Sequence, residues 1–512
     1  MPVRLIHIIL IAFSLYSNFS YGQNQVSGKV FLDSNSNGIL DANEKGIQGV
    51  CVSNGREVVQ TDAEGKWVLP SGNRTGIFVI KPANYSVPVN RDQIPQHYFL
   101  FQKKSNSGSS TQVSVNFPLQ KSTEPKKFSA LFFGDTQARG LREVNFINHD
   151  VVEECMGTKA LFGVSLGDNV ADGPGLFEEV SQGIAQIGIP WYNTFGNHDC
   201  DRDVASTNEK DKTFKTFFGP STFAFEYGEV VFIDLNDIFF KPDGKYIPHF
   251  TDDQLNFVKN YLATVPQNKL IVLMMHAPIV QCDNRESMFQ LIQDRKFTFS
   301  VSGHVHEQSN VFVGKEQGWN GKTPHHHLIN ATVCGSWWCG LIDETGIPHA
   351  TMNDGAPNGY SVITFDGNTY SVRFKAARRP KNYQMNIYLP EDIKSQDADT
   401  TKVLVNVFAG SERSKVEMRV GNSGGWITLK QVRTTDPECR RMHELSPYLQ
   451  QTVNGKPLED VLGNSMDKPS FTNHMWQSPL PKGISAGTHT VEVRTTDMYG
   501  QSWQSSHIFR VQ

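Results

Sequence analysis

Between residues 128 and 306, five apolar runs each stop at a short polar motif. Phe128 to Phe133 ends in Gly134-Asp135-Thr136-Gln137, and Ala160 to Leu166 ends in Gly167-Asp168-Asn169. Ile189 to Phe195 ends in Gly196-Asn197-His198-Asp199, Lys269 to Met275 in His276-Ala277-Pro278, and Phe297 to Ser302 in Gly303-His304-Val305-His306. Helical patterns lie between them: Leu141 to Met156, about Gly175 to Ile187, and a segment opened by the capping box Thr251-Asp252-Asp253-Gln254. A chain that alternates strand and helix buries its apolar runs in a layered α/β domain, where ligands collect at the carboxyl ends of strands. Turn chemistry explains any one of these motifs, but not five at five strand ends.

The residues in these motifs suit a metal. Asp135, Gln137, Asp168, Asn197, His276, His304 and His306 offer only oxygen and imidazole donors. Such a set fits Mn, Fe or Zn better than a thiolate zinc site or an all-oxygen calcium site. Seven donors exceed what one tetrahedral ion uses, whereas two ions sharing a carboxylate, roughly 3.5–4 Å apart, use them all. His198 exchanges protons near neutral pH, and Asp199 beside it is expected to orient its ring.

The ordered set Asp-x-(His/Gln), Gly-Asp-Asn, Gly-Asn-His-Asp, His-Ala-Pro, Gly-His-Val-His resembles the calcineurin-like metallophosphoesterase superfamily over residues 128 to 376. The layout, with a small β-domain before and a β-sandwich after, is similar to exported bacterial members. The resemblance implies an α/β fold, a layered metallophosphoesterase β-sandwich core with helices outside, flanked by two all-β domains. It implies Asp135, Gln137 and His306 on a first ion, Asp168 bridging, and Asn197, His276 and His304 on a second. A hydroxide between the ions would attack phosphorus, and His198 would protonate the leaving alkoxide. Gln137 stands where His is commonest, and similar first motifs occur in phosphodiesterase and pyrophosphatase branches. An amide is a poorer donor than imidazole, so the first ion is expected to be held less tightly or chosen differently.

Outside this core the expected divisions are a signal peptide at 1–22, a small β-sandwich at 23–121, the phosphoesterase domain at 122–377 and a C-terminal β-sandwich at 378–512. Arg4, the apolar run Leu5 to Tyr16, and the small residues Ser20 and Gly22 fit an export signal with cleavage before Gln23, leaving no membrane span. The expected location is periplasmic, secreted or cell-surface. Asp33, Asn35, Asn37, Ile39 through its carbonyl, Asp41 and Glu44 have calcium-loop spacing, with Gly38 at the sharp turn. Their strand-like flanks resemble calcium-stapled B-type repeats of bacterial surface adhesins, and a polar loop that binds nothing is the competing reading. Seven cysteines permit disulfides but leave at least one unpaired; Cys200 with Cys282 and Cys334 with Cys339 are the candidate neighbours.

For substrate contacts the candidates are Arg139, Trp337, Trp338 and Asn358, with Arg142 a second possible phosphate clamp. One of His325-His326-His327 is expected to line the site and the others to lie at the surface, because neighbours on an extended chain point to opposite faces. The net charge of −4 gives no reason to expect long nucleic acid as a partner. The expected function is an exported, dinuclear-metal hydrolase of small phosphate esters, inclined to diesters. A calcium-stapled surface-binding protein with a vestigial core is a second reading, and an extracellular nucleotidase or pyrophosphatase a third.

Overall fold

The computed structural model describes residues 25–70, 76–101, 113–421, 424–446, 452–453, 456–457 and 466–512. The expected signal segment, 1–22, lies outside the described residues. The central unit is a pair of packed sheets. One has the strand order Trp191–Asn193, Gly163–Ser165, Lys127–Phe133, Gly359–Asp366, Thr369–Ala376. The other runs Phe223–Tyr227, Val230–Asp234, Leu270–Met274, Thr298–Ser302, His325–Ile329, Ser309–Val313.

Side-chain alternation explains why strand Lys127–Phe133 is apolar almost throughout. Phe128, Ala130 and Phe132 face the second sheet, while Leu131 and Phe133 pack under Val144, Ile147, Val180 and Ile184 of the covering helices. A strand buried on both faces loses the polar alternation of a half-exposed one. The first three strands of the first sheet are mutually parallel, and so are the four from Val230–Asp234 to His325–Ile329. Ser165 pairs with both Phe133 and Asn193, and Met274 with Val301, so all five motifs emerge at one edge. The Thr251 capping box forms as expected, opening helix Asp252–Leu262.

Histidines 325 to 327 depart from expectation, because all three are buried. The paired strand Thr298–Ser302 places a hydroxyl beside each outer ring. His325 bonds Thr298 Oγ1 (2.9 Å) and Ser300 Oγ (2.8 Å), and His327 bonds Ser300 Oγ (2.8 Å) and Ser302 Oγ (3.1 Å). His326, on the other face, lies between the Tyr370 hydroxyl (2.8 Å) and Asn310 Oδ1 (2.9 Å). Hydroxyl partners let an imidazole enter a core uncharged. None of the three lines the metal site.

Two four-stranded sheets precede the core and two further sheets, of four and five strands, follow it. The N-terminal part is fixed by Lys81, whose buried ammonium meets Glu124 (2.7 Å) and the Glu226 carbonyl (2.6 Å) and lies over the Tyr227 ring. The C-terminal part is fixed by a buried polar chain. His474 bridges Asp354 Oδ2 (3.0 Å) and Asn406 Oδ1 (2.7 Å), and Asn406 donates to Asp436 (2.8 Å), which also accepts from the Tyr388 hydroxyl (2.7 Å). In the Asp33–Glu44 loop the carboxylates accept from the loop's own amides, among them Gly38 N to Asp33 (3.1 Å) and Ser34 N to Glu44 (2.8 Å). All seven cysteines are buried free thiols, so neither candidate pair forms a disulfide. No helix among the described residues is long and apolar enough to cross a membrane.

The histidine ladder sets an acid limit. Burial lowers the pKa of His325 and His326 to about 3 and that of His327 well below its ordinary 6.5. The unfolded chain therefore binds protons that the folded ladder refuses. Stability is complete above pH 6.5 and is lost as pH falls from there toward 3, at about 1.4 kcal/mol per pH unit for each histidine. Urea unfolding of metal-stripped protein between pH 7 and 5 should show this slope, and His325→Gln should reduce it by one proton's worth.

Candidate metal centre

Three of the five motifs leave their strands in backbone conformations that ordinary residues avoid. Asp135, Gln137, Asp168, His304 and His306 all have positive φ, at 33°, 39°, 48°, 78° and 53°. Such backbone strain persists only where the surroundings enforce it, and it gathers at functional sites. The motif glycines have a steric reason. A Cβ on Gly303 would lie 2.4 Å from Asp135 Oδ2, one on Gly196 2.2 Å from Asp168 Oδ1, and one on Gly167 2.4 Å from His276 Nδ1.

The donor atoms then face one another. His276 Nδ1 donates to the Leu166 carbonyl (2.8 Å), which turns Nε2 toward the other ligand atoms. That nitrogen lies 3.1 Å from Asp168 Oδ2, 3.1 Å from Asn197 Oδ1 and 3.2 Å from His304 Nδ1. Ligand atoms of Asp168, His276 and His304 fall within 4.8 Å of one another. His306 is set the same way: its Nδ1 donates to the Gly335 carbonyl (2.6 Å), and its Nε2 faces Asp135 at 4.0 Å. Ring nitrogens fixed by a carbonyl on the far side are the usual preparation for metal ligation.

Acceptors that converge without donors need a positive charge among them. Burial opposes a charged His276, yet Asp168, Asp135 and Asp237 lift its pKa to about 10. A proton is thus strongly held at the point where a metal ion would satisfy the same lone pairs. Burial raises Asp135 to about 8, and lowers His304 to about 3 and His306 to about 4, keeping both imidazoles neutral as ligands must be. Gln137 presents its amide nitrogen to Asp168 Oδ2 (2.9 Å) and its oxygen to Cys334 Sγ (3.6 Å), so it would ligate by turning the amide over. The residues present fit a metal centre of oxygen and imidazole donors.

Residues 128–308 match the family model for calcineurin-like phosphoesterase, residues 34–122 that for the N terminal of calcineurin-like phosphoesterase, and residues 327–503 that for its C terminal. The chain belongs to the calcineurin-like phosphoesterase family. It is a metal-dependent phosphoester hydrolase in general kind. No curated protein matches the sequence. Among solved structures, a purple acid phosphatase, PPD1 from yellow lupin (Lupinus luteus) seeds, aligns at 13% identity and TM-score 0.35. That alignment covers 64% of this chain and 66% of the lupin chain. The Clostridium perfringens spore cortex lytic enzyme SleM aligns at 11% identity and TM-score 0.17, over 76% of this chain and 100% of that one. Likenesses this slight carry no weight in reading the site.

Within this phosphoesterase the partner of His198 is not Asp199. Asp199 is wholly buried, and its oxygens accept from Asn169 N (2.8 Å), Asn169 Nδ2 (2.9 Å) and Gly196 N (2.9 Å). It ties two ligand loops together and has no oxygen left for the ring. The His198 ring instead meets Asp172 (2.8 Å), which also holds Arg202, while the His198 amide donates to Asp168 Oδ1 (2.8 Å). Asp172 lies four residues beyond Asp168 on a loop pinned to His198 by Gly173 N (2.9 Å). No sequence pattern marked it. Asp237 was equally hidden: its Oδ1 accepts from His276 N (3.2 Å) and Ala277 N (3.3 Å) and so sets the loop that carries His276.

The expected substrate residues divide. Trp338 is core, 1% exposed, packed on Phe146 with its indole N–H toward the Thr136 carbonyl (3.3 Å). Asn358 is also buried and donates to Asp150 (2.9 Å) and the Val333 carbonyl (3.0 Å). Arg139 is committed to Glu143 (2.6 Å) and to the Trp337 carbonyl (2.6 Å), a strap rather than a phosphate clamp, and Arg142 lies over the Phe146 ring. Only Trp337 reaches the centre, parallel to the His306 ring at 5.3 Å and edge-on to His198 at 4.9 Å.

Two aspartates therefore separate by function. Asp172→Asn should keep the bound metal and lower kcat about 10–100-fold. Asp199→Asn should lower Tm and metal content instead. Metal analysis, melting and rate measurements on the two variants check this.

Proposed function

We propose that this chain is an exported, dinuclear-metal phosphohydrolase that prefers phosphodiesters. The observation that carries the reading is the meeting of Asp168, Asn197, His276 and His304 side chains around one point, with oxygen and imidazole atoms facing one another at 3.1–3.2 Å. The two-ion form is supported by Asp168, whose Oδ2 faces Gln137 of one expected ligand set and His276 of the other. Asp135, Gln137 and His306 would hold the first ion, and Asn197, His276 and His304 the second. Manganese, iron and zinc all suit these donors. Export rests on the segment 1–22, and the diester preference on the Gln-bearing first motif.

Bound ions would activate a water for attack and neutralise the phosphoryl oxygens. The protein's own part is orientation and proton supply. Asp172 accepts from His198 Nδ1, which leaves Nε2 to hold the proton that the departing oxygen takes. Leu166 and Gly335 fix the rings of His276 and His306, and Asp237 fixes the His276 backbone, so the ligands are set before substrate arrives.

Metal-stripped protein refilled with Mn, Zn or Fe should cleave bis-p-nitrophenyl phosphate faster than p-nitrophenyl phosphate. Asn197→Ala and His198→Ala should each lower that rate at least about 100-fold. A protein that binds no metal returns the surface-binding reading, and one that prefers nucleotide anhydrides returns the nucleotidase or pyrophosphatase reading.

Calcium in the Asp33–Glu44 loop belongs to the same proposal and is supported by the spacing of its oxygens and by Gly38 at φ 73°. Millimolar calcium should raise Tm by a few degrees in wild type and leave Glu44→Ala unmoved.

A further inference from the structure

Two aromatic rings, each partly exposed, stand against the metal centre and touch different histidines of it. Trp337 covers His306 and abuts His198. Tyr246 stands 6.1 Å from the His304 ring, inclined at 75°. Neither ring is loosely placed. Trp337 sits at φ 65°, a conformation that bulky residues avoid, and Arg139 holds its carbonyl at 2.6 Å while paired with Glu143. Tyr246 begins the second strand of a hairpin, Ile238–Phe240 with Tyr246–Pro248, and packs on Phe240.

Beside Asp172, which holds the His198 ring, lies an open groove of about 620 Å³ whose lining includes Arg139, Leu176, Asp201, Arg202 and Asp203. Several of its charges are already engaged. Arg202 is paired with Asp172, and Asp201 accepts from Thr213 N (2.9 Å). A departing oxygen turned to His198 would carry its alcohol against Trp337, which stands 4.9 Å from that ring. A second substituent on the His304 side would meet Tyr246.

We propose that Trp337 and Tyr246 are specificity-determining residues that receive the two organic arms of a phosphodiester. Trp337 stacks on a planar leaving alcohol, and Tyr246 flanks the retained substituent. The proposal rests on the hydrolase reading above and extends it to substrate class. A monoester has one arm and would leave the Tyr246 ring without a partner. In the reaction the water oxygen bonds to phosphorus, the bond to the leaving oxygen breaks, that oxygen takes the His198 proton, and the remaining water proton goes to solvent.

The test uses the manganese-loaded full chain and reads each variant as a ratio to wild type on the same ester, so that intrinsic leaving-group reactivity cancels. Leaving groups are compared on methyl diesters of p-nitrophenol, 2-naphthol and trifluoroethanol. Retained groups are compared on methyl and phenyl esters of p-nitrophenyl phosphate. Trp337→Ala should lose about tenfold in kcat/KM, mainly through KM, on the two planar leaving groups and less than about twofold on trifluoroethyl, with Trp337→Phe restoring most of it. Tyr246→Ala should lose about fivefold on the phenyl ester and little on the methyl ester. Equal losses across all esters overturn the proposal, because that is what a merely structural ring would give. If wild type cleaves none of the esters, the hydrolase reading falls, and calorimetric binding of the intact esters then decides the rings: a planar preference lost in Trp337→Ala upholds them, and no preference in wild type overturns them.

Discussion

Everything near the site depends on one crowded contact, His276 Nε2 facing a carboxylate, an amide oxygen and a second imidazole at 3.1–3.2 Å. Acceptors repel at such distances unless a proton or a metal ion lies among them, so the fold must supply force to hold them together. It does so by exits from parallel strands. The loops that carry His276 and His306 leave the sheet edge through turns fixed by hydrogen bonds behind the ligand, at Leu166, Gly335 and Asp237. The left-handed backbone at five of the seven candidate ligands is the visible mark of that force.

This origin explains what was legible in the sequence. A strand end followed by Gly and a polar pair is a local pattern, and the topology that brings such ends together is common to layered α/β domains. The motif glycines were readable as motif members, but their steric cause, a Cβ meeting a ligand, is a three-dimensional fact. Asp172 and Asp237 lie outside the motifs and reach the site only through folding. Asp199 misled because adjacency in sequence suggested adjacency of side chains, whereas in the short helical turn Asn197–Asp199 its carboxylate points away from the His198 ring. Trp338, beside Trp337, is turned into the core.

The histidine run failed for a related reason. Opposite faces of an extended strand imply one buried face only when the sheet has one solvent side, and strand His325–Ile329 has none. The hydroxyls of Thr298, Ser300 and Ser302 come from a different strand, spaced two apart to match the ring nitrogens. Composition alone would have marked three consecutive histidines as metal-binding. Their partners make them a neutral, fully bonded part of the sheet.

The polar chain through His474 and Asn406 ends on Asp354, which accepts from Gln308 N at 2.7 Å, two residues beyond His306. Asn353 N, next to Asp354, donates to the His306 carbonyl at 3.2 Å. The last ligand loop is therefore clasped from the far end of the chain, and its final support comes from a strand that begins at Thr472. A ribosome reaches His306 long before it reaches His474. The loop that carries His306 therefore has its full set of supports only once strands made much later have joined it.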